Sequence, residues 1–304
     1  MYVYKVLESA WALCTPNGVQ PEAVYQSSLV MWEAQYKLFL FGGMRSVGTV
    51  SNNLYSYTVS NDTINSDQEI DGSWASISPG GTLPTARYGH TAVANEATAS
   101  MLLFGGVTDF FVSLDDLWSF DFNSESWTQL SPSGTAPSAR YYHATAWWPD
   151  QQKMFISGGL GLDAITFVYQ NFADMFVYDA VANAWSELTP NGRGIAVPGL
   201  YAHSLVLMTD AEQFLVLGGY EGLSTTASEE LYGYDIASGT WSELVKTGDI
   251  EARVDYVAMW YQGAYDTAGY LEWDDYETML VFGGLETEAS TATGEQLLFS
   301  FLPT

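Results

Sequence analysis

The sequence predicts an all-β fold assembled from repeated four-stranded antiparallel sheets. Three observations predict it. An apolar segment runs into a pair of glycines five times along the 304 residues, and after the first four pairs come a segment of alternating aromatic residues and then a segment with tryptophan at or near its start. Glycine weakens strands, so its return at similar spacing indicates an internal repeat rather than five separate turns.

The first two strands of each copy end at the glycine pair. A strand starts at or near a histidine in "HTAVAN" and "HATAWW", and an apolar strand such as "MLLFGG" follows. A β-carbon at these glycines is expected to clash with neighbouring backbone, or to be excluded by the backbone dihedrals, so we predict an architectural role. The pairs are Gly42 and Gly43, Gly105 and Gly106, Gly158 and Gly159, Gly218 and Gly219, and Gly283 and Gly284.

The third and fourth strands carry the aromatic residues. "LWSFDF" (117–122) alternates with a period of two, which is typical of a strand, and "SWTQLS" (126–131) follows after a short polar turn. Short connections favour antiparallel neighbours. The tryptophans that define the fourth strand are Trp11, Trp74, Trp127, Trp185 and Trp241.

A single four-stranded sheet of this size cannot bury both faces, whereas several arranged radially bury each other as the blades of a β-propeller. The spacing of Gly105–Gly106, Phe120–Asp121 and Trp127, repeated along the chain, resembles the kelch-repeat family. The resemblance covers essentially all of residues 1–304 and implies a single propeller domain of about five blades. It says little about function, because one fold hosts many roles.

The two ends of the chain leave the blade count open. The repeat units are about 23–78, 87–131, 140–189, 200–245, and 254–302 completed by 1–14. Residues 1–6 and 297–302 both align with the third strand, so one copy is surplus. Two alternatives remain: a five-bladed ring with a spare strand, or a piece of a longer propeller. A cytoplasmic location is expected if Met1 is the true start, and an extracellular one is compatible with a fragment.

Composition constrains the partners. Nine basic residues against 36 acidic ones give a net charge of −27. Such a surface repels nucleic acid and anionic membranes and favours basic protein partners or divalent cations, although a general solubility adaptation, which we favour, also explains it. No apolar run is long enough to insert into a membrane. The one cysteine, Cys14, permits no intrachain disulfide.

Two sets of polar residues recur at fixed repeat positions. Arg87, Arg140 and Arg253 precede the first strand, a segment that faces the mouth of the central channel in kelch-like propellers. There they would bind a carboxylate or an acidic peptide, or else pair with local Asp and Glu, which we favour. The histidines His90, His143 and His203 are expected to be hydrogen-bonded repeat residues within their blades.

Long connections are the candidate docking sites. Irregular segments are predicted at 60–72, 160–173 and 262–275. The middle one is rich in apolar residues, among them Phe167, Tyr169 and Phe172, which either contact a partner or cover their own blade.

No catalytic motif stands out. The copper and iron sites of kelch-like enzymes find no matching residue set, and loop carboxylate pairs such as Asp115–Asp116, Glu229–Glu230 and Asp274–Asp275 lack calcium-loop spacing, so neither metal nor cofactor is expected. We therefore predict a non-catalytic scaffold that binds proteins through loops at one face. The alternative is an enzyme or binding protein for a carbohydrate or small carboxylate, with its site at the channel mouth.

Overall fold

A computed structural model describes the backbone of residues 2–5, 10–13, 16–46, 48–64, 70–163, 166, 168–190, 194–222, 227–244, 253–254, 257–261, 277–282, 285–286 and 296–301. These residues form strands and loops, with short 3₁₀ turns at Glu33–Gln35 and Glu96–Thr98. The all-β prediction is confirmed. In the part of the chain so described, no helix has the length and apolar character needed to cross a membrane.

The chain forms two compact units. The first comprises Met1–Pro132, Ser138–Tyr141 and Leu162–Phe167. It holds two five-stranded sheets, here named sheet I and sheet II. In spatial order, the strands of sheet I are Asn17–Gly18, Ile70–Ile77, Leu54–Ile64, Lys37–Phe41 and Ser28–Trp32, and those of sheet II are Gly80–Gly81, Ser126–Leu130, Leu117–Asp121, Ser100–Phe104 and Thr91–Asn95.

Aromatic side chains from both sheets build the core of the first unit. Phe39 of sheet I is fully buried, and its ring centroid lies 5.7 Å from that of Phe120 and 4.6 Å from that of Phe122. Phe120 stands opposite Trp127 in the antiparallel register, with centroids 5.1 Å apart. Cross-strand aromatic pairs of this kind stabilise a sheet beyond their area burial.

The second unit comprises Ser133–Pro137, Tyr142–Gly161 and Val168–Thr304. It holds sheets III, IV and V, with a core that includes Phe155 and Phe214 at 4.6 Å between ring centroids. In spatial order, sheet III is Ser133–Gly134, Ala184–Glu187, Met175–Asp179, Lys153–Ser157 and Ala144–Trp148; sheet IV is Ser204–Met208, Gln213–Leu217, Leu231–Asp235 and Thr240–Glu243; sheet V is Val257–Tyr261, Glu277–Phe282 and Gln296–Phe301.

Shorter strands complete the described elements. The N-terminal hairpin pairs Tyr4 with Trp11, as expected for third and fourth strands. Whether it completes the last repeat stays a prediction. These shorter strands are Tyr2–Lys5, Ala10–Leu13, Val24–Tyr25, Met44–Arg45, Leu160–Leu162, Tyr169–Asn171, Leu200–Tyr201, Tyr220–Glu221, Arg253–Val254 and Leu285–Glu286.

The linker after a tryptophan strand forms a further strand that the sequence did not predict. After the strand Ile70–Ile77 of sheet I, the chain crosses to sheet II, where Gly80–Gly81 pairs in parallel with Ser126 and Trp127. A Cβ on Gly81, which has a φ of +79°, would overlap the carbonyl oxygen of Trp127. The linker therefore ties successive repeats together, and equivalent contacts join Gly18 to Trp74, Gly134 to Trp185 and Gly194 to Trp241.

The prediction of an irregular segment at 60–72 was wrong in part. The strand Leu54–Ile64 extends far beyond the predicted 54–59, and Ile70–Ile77 starts before the predicted tryptophan strand. The two form one long hairpin with a register shift between Val59 and Ile64. The polar residues after Val59 in "YTVSNDTI" suggested a loop, but the strand continues through them to Ile64.

Candidate functional site

Arg87 lies fully buried in the first unit, where it grips a carboxylate of its own repeat. Its two terminal nitrogens donate to the two carboxylate oxygens of Asp116 at 2.6 and 2.8 Å. The remaining donors reach the carbonyls of Thr85 and Gly105, both at 2.9 Å. The indole N–H of Trp118 donates to the same carboxylate at 2.6 Å. The internal pairing that we favoured is therefore present at Arg87.

The backbone of Arg87 contacts the preceding repeat at the same time. Its N–H donates to the carbonyl of Ser51 at 3.1 Å, and its carbonyl accepts from Gly43 at 2.9 Å. One residue thus joins the loops of sheet I to the carboxylate of sheet II. Burial raises the pKa of Asp116. The hydrogen bonds and the charge of Arg87, together with the hydrogen bond from Trp118, outweigh this effect and leave the pKa below its usual value.

Arg140 occupies the same repeat position and is also fully buried. Its Nε donates to the carbonyl of Ser138 at 3.0 Å, its N–H to that of Leu114 at 3.0 Å, and its carbonyl accepts from Gly106 at 2.9 Å. Arg253 lies in a short strand, and its side chain is outside the described residues. A ligand contact by Arg87 or Arg140 would require these buried groups to open, so the ligand-binding role stays a prediction that their burial disfavours.

The histidines link neighbouring repeats. Nε2 of His90, which precedes sheet II, lies 3.0 Å from the hydroxyl of Ser28 in sheet I. Nε2 of His203, which precedes sheet IV, lies 3.4 Å from the hydroxyl of Ser157 in sheet III. His143 is buried at the corresponding position. The prediction of hydrogen bonds within one blade was wrong for His90 and His203, because the partner serine of each belongs to the adjacent sheet.

Burial keeps the imidazoles of His90 and His203 neutral. It lowers the pKa of His90 to about 3, with the nearby Arg87 charge as the next cause, and lowers the pKa of His203 to about 4. An imidazole whose pKa lies far below neutral pH accepts a proton only weakly, and burial also keeps it from substrate, so it is a poor general base. The geometry indicates a structural contact rather than an acid–base pair.

The glycine pairs have the predicted architectural role. Gly106 adopts a φ of +101°, and a Cβ there would lie 2.9 Å from Cβ of His90 and 3.0 Å from the carbonyl oxygen of Tyr88. Gly219 makes the equivalent approach to His203 and Tyr201. The Gly283–Gly284 pair lies outside the described residues.

The loop carboxylate pairs differ in their surroundings. Asp116 is engaged by Arg87, whereas Asp115 is exposed, and the Glu230 N–H donates to the hydroxyl of Ser228 at 3.2 Å. Asp274 and Asp275 fall outside the described residues. Within the ranges that the structure describes, no group of three or more His, Cys, Asp and Glu is placed to hold a metal ion.

The segment 160–173, predicted to be irregular, contains the paired strands Leu160–Leu162 and Tyr169–Asn171, so that prediction was wrong in part, and its apolar side chains divide between surface and core. Tyr169 is 47% exposed and its neighbour Val168 is 61% exposed, whereas Phe172 is only 6% exposed. The Phe172 N–H donates to the carbonyl of Gly159 at 3.0 Å. Phe172 thus covers its own unit, and the expectation that it faces a partner is not met by its position. Phe167 lies outside the described residues, and a contact role for Tyr169 stays a prediction.

A second exposed apolar loop was missed by the sequence analysis. Phe110, Phe111 and Val112 are 82%, 58% and 43% exposed, respectively. They follow the glycine pair of the second repeat in "GGVTDFFVS". Two adjacent phenylalanines after a glycine turn were a usable signal, but the segment was too short to be counted among the long irregular ones.

The match to a known protein family agrees with the repeat pattern of the sequence and the structure. Residues 68–265, well over half of the chain, match the model of the KLHDC2/KLHL20/DRC7 Kelch-repeats domain. The chain belongs to the kelch-repeat family. Its all-β sheets are those of a kelch-type β-propeller, and kelch domains in general support protein–protein interaction.

Three curated relatives illustrate the range of proteins that carry this domain. The chain is 33% identical over 165 residues to mouse Multiple epidermal growth factor-like domains protein 8, covering 52% of the chain and 6% of that protein. It is 28% identical over 228 residues to human Kelch domain-containing protein 10, and the match covers 73% of the chain and 47% of that protein. It is 29% identical over 192 residues to N-(sulfonatooxy)prop-2-enimidothioate sulfolyase of Thlaspi arvense, and the match covers 60% of the chain and 52% of that protein. The chain therefore spans at most about half of these relatives.

Proposed function

We propose that this kelch domain is a non-catalytic module that binds protein partners through the loops at the ends of its sheets. The observation that carries the proposal is the distribution of its apolar side chains. The loops at Phe110–Val112 and Val168–Tyr169 are exposed, whereas the polar repeat residues Arg87 and His90 are buried in contacts between repeats. Exposed apolar patches on a rigid scaffold mark interaction sites.

The buried polar groups support binding rather than catalysis. Asp116, His90 and His203 have shifted pKa values, which often mark active sites. Here each shift accompanies a contact within or between repeats: an ion pair for Asp116 and a hydroxyl contact for each histidine. These side chains are committed to the architecture, which favours a structural account of their pKa shifts.

Charge favours a basic partner. The chain carries a net charge of −27. Among the described side chains, Arg45 pairs with Glu22, Lys37 with Glu125 and Arg87 with Asp116, so these cations are engaged by the chain's own carboxylates. A basic surface would be attracted over several ångströms and would associate faster at low salt.

An enzyme that acts on a small anionic or carbohydrate substrate is the second candidate. The sulfolyase relative from Thlaspi arvense favours it, since that protein is named for the lysis of an N-sulfonatooxy imidothioate. In this chain Arg87 and Arg140 would be the groups to hold an anion, and their burial counts against that use.

A peptide selection tests the proposal. A random peptide library displayed on phage is selected against the immobilised chain, and enriched peptides are measured by calorimetry. We expect saturable one-to-one binding that is weakened by changes at exposed loop residues such as Tyr169→Ala. If no peptide binds saturably and the chain turns over an N-sulfonatooxy imidothioate, the proposal of a binding module is contradicted and the enzyme is favoured.

A further inference from the structure

A short hairpin projects from the first unit between the strands Ser100–Phe104 and Leu117–Asp121 of sheet II. It starts at Gly106, whose carbonyl accepts from the N–H of Leu114 at 2.9 Å. Val107 bridges Ser113 in antiparallel register and is 1% exposed. The base of the hairpin is therefore anchored in the core. The Ser113 hydroxyl also accepts from the N–H of Leu162 at 3.0 Å, which holds the returning arm.

The tip of this hairpin is ordered by Thr108. The Thr108 N–H donates to the carbonyl of Val112 at 3.1 Å, and the Phe111 N–H donates to the carbonyl of Thr108 at 3.1 Å. The Thr108 hydroxyl accepts from the N–H groups of Phe110 and Val112, both at 3.3 Å. A tip fixed by four such contacts loses little conformational freedom when a partner binds, which favours affinity.

The tip carries aromatic side chains in positions that are unfavourable for them, because one is highly exposed to solvent and the other has a left-handed backbone conformation. Phe110, at 82%, has the greatest exposure among the large hydrophobic residues that the structure describes. Phe111 has a φ of +57°, a left-handed conformation that suits glycine or asparagine and is strained for an aromatic residue. Neither exposure nor strain helps the free chain to fold. Both are accounted for if the two rings are used in a complex.

The charge around the tip indicates the partner. Asp109, at the tip, and Asp115, just beyond the hairpin, are exposed carboxylates. They flank the apolar residues in sequence on a chain with a net charge of −27. A second copy of the same chain would bring like charges together, which opposes self-association through this tip. A segment that combines Lys or Arg with aromatic or aliphatic side chains complements both features.

We propose that Phe110, Phe111 and Val112 form the anchor point for a basic protein segment that carries apolar side chains. The segment packs its apolar groups on the two rings, and its cations lie near Asp109 and Asp115. This inference rests on the proposed function, because it specifies which loop docks the partner and which chemistry the partner has. Aromatic residues at the centre of an interface commonly dominate its affinity.

The test uses peptides that a random phage library yields against the intact chain, synthesised and measured by fluorescence anisotropy. We expect them to be basic and to contain aromatic or aliphatic residues. Phe110→Ala should raise the Kd at least about 30-fold, as for a hot-spot residue. Phe111→Gly should also weaken binding, while its melting temperature stays equal or rises because glycine accepts the left-handed φ.

Val181→Ala is the matched control. Val181 is 74% exposed in another turn, which is likewise tied by a side chain through the Asp179 carboxylate. Its change should leave the Kd unaltered. Raising the ionic strength from about 0.05 to 0.5 M should weaken binding, since it shortens the range of charge attraction.

Several results would overturn the inference. Selection of acidic rather than basic peptides would overturn it, and so would peptide binding that Phe110→Ala does not weaken. A dimer detected by sedimentation and abolished by Phe110→Ala would also overturn it. If peptides bind saturably but respond only to other loops such as Tyr169, the docking tip is wrong and the interaction module stands. If no peptide binds saturably, both proposals fall.

Discussion

Acid should destabilise this protein through its buried histidines. An imidazole in the unfolded chain has a pKa near 6.5, whereas burial lowers the pKa to about 3 for His90 and about 4 for His203. The unfolded state therefore binds more protons below pH 6.5, and the free energy of unfolding falls as the pH drops from there towards the folded-state pKa. Above pH 6.5 both states are neutral and the effect is absent.

The magnitude follows from the size of the pKa gap. Each pH unit across the gap is worth about 1.4 kcal/mol for one proton. Between pH 6.5 and pH 5, each histidine therefore lowers the free energy of unfolding by about 2 kcal/mol, and the two together by about 4 kcal/mol. Asp116 adds a loss of stability in the same direction at still lower pH, because its pKa in the folded chain lies below the usual value.

A paired comparison isolates the histidines. Urea unfolding of the parent and of a His90→Gln, His203→Gln variant is measured at pH 7 and pH 5. Glutamine reaches the partner serines but does not titrate, so the carboxylate effect is common to both proteins. The parent should lose about 4 kcal/mol more than the variant over this range. Identical pH dependence of the two would refute the neutral, buried histidines.

Two further predictions concern the contacts between repeats. Gly106→Ala should lower the free energy of unfolding by about 3 kcal/mol, because a Cβ there meets His90 at a φ of +101°, whereas Gly222→Ala, with a φ of +61° and open space, should cost only about 1 kcal/mol of backbone strain. Equal losses would show that close approach is unimportant. Arg87→Met should cost about 3 kcal/mol by leaving the Asp116 carboxylate without its cation, and adding Asp116→Leu should recover part of the loss. Strictly additive losses in thermal or urea unfolding would contradict the ion pair.

Local pattern was sufficient for the strands but not for the contacts between them. The period-two alternation in "LWSFDF" and the tryptophan that follows predicted two neighbouring antiparallel strands, and the structure pairs them with Phe120 opposite Trp127. The glycine pair at Gly106 was predicted to face neighbouring backbone, as it does. The parallel strand at Gly80–Gly81 was missed because two glycines in a polar linker resemble a turn, and only the carbonyl of Trp127 in the next sheet explains them.

The candidate site was harder to predict for a related reason. The shared position of Arg87 and Arg140 was visible in the sequence, but their burial depends on how one repeat meets the next. The serine whose hydroxyl contacts Nε2 of His90 lies 62 residues away along the chain. The exposure of Phe110 was hidden as well, because apolar residues after an apolar strand are expected to be buried.

Hydrogen–deuterium exchange tests most directly whether partners dock on the loops. The chain is exchanged alone and saturated with a selected peptide, and protection is compared segment by segment. Slower exchange is predicted at the hairpin 106–114, where Phe111 and Leu114 donate the reporting amides, with little change in strands such as Leu117–Asp121. Protection confined to the segments around Arg87 and Arg140, with none at the exposed loops, would contradict the account.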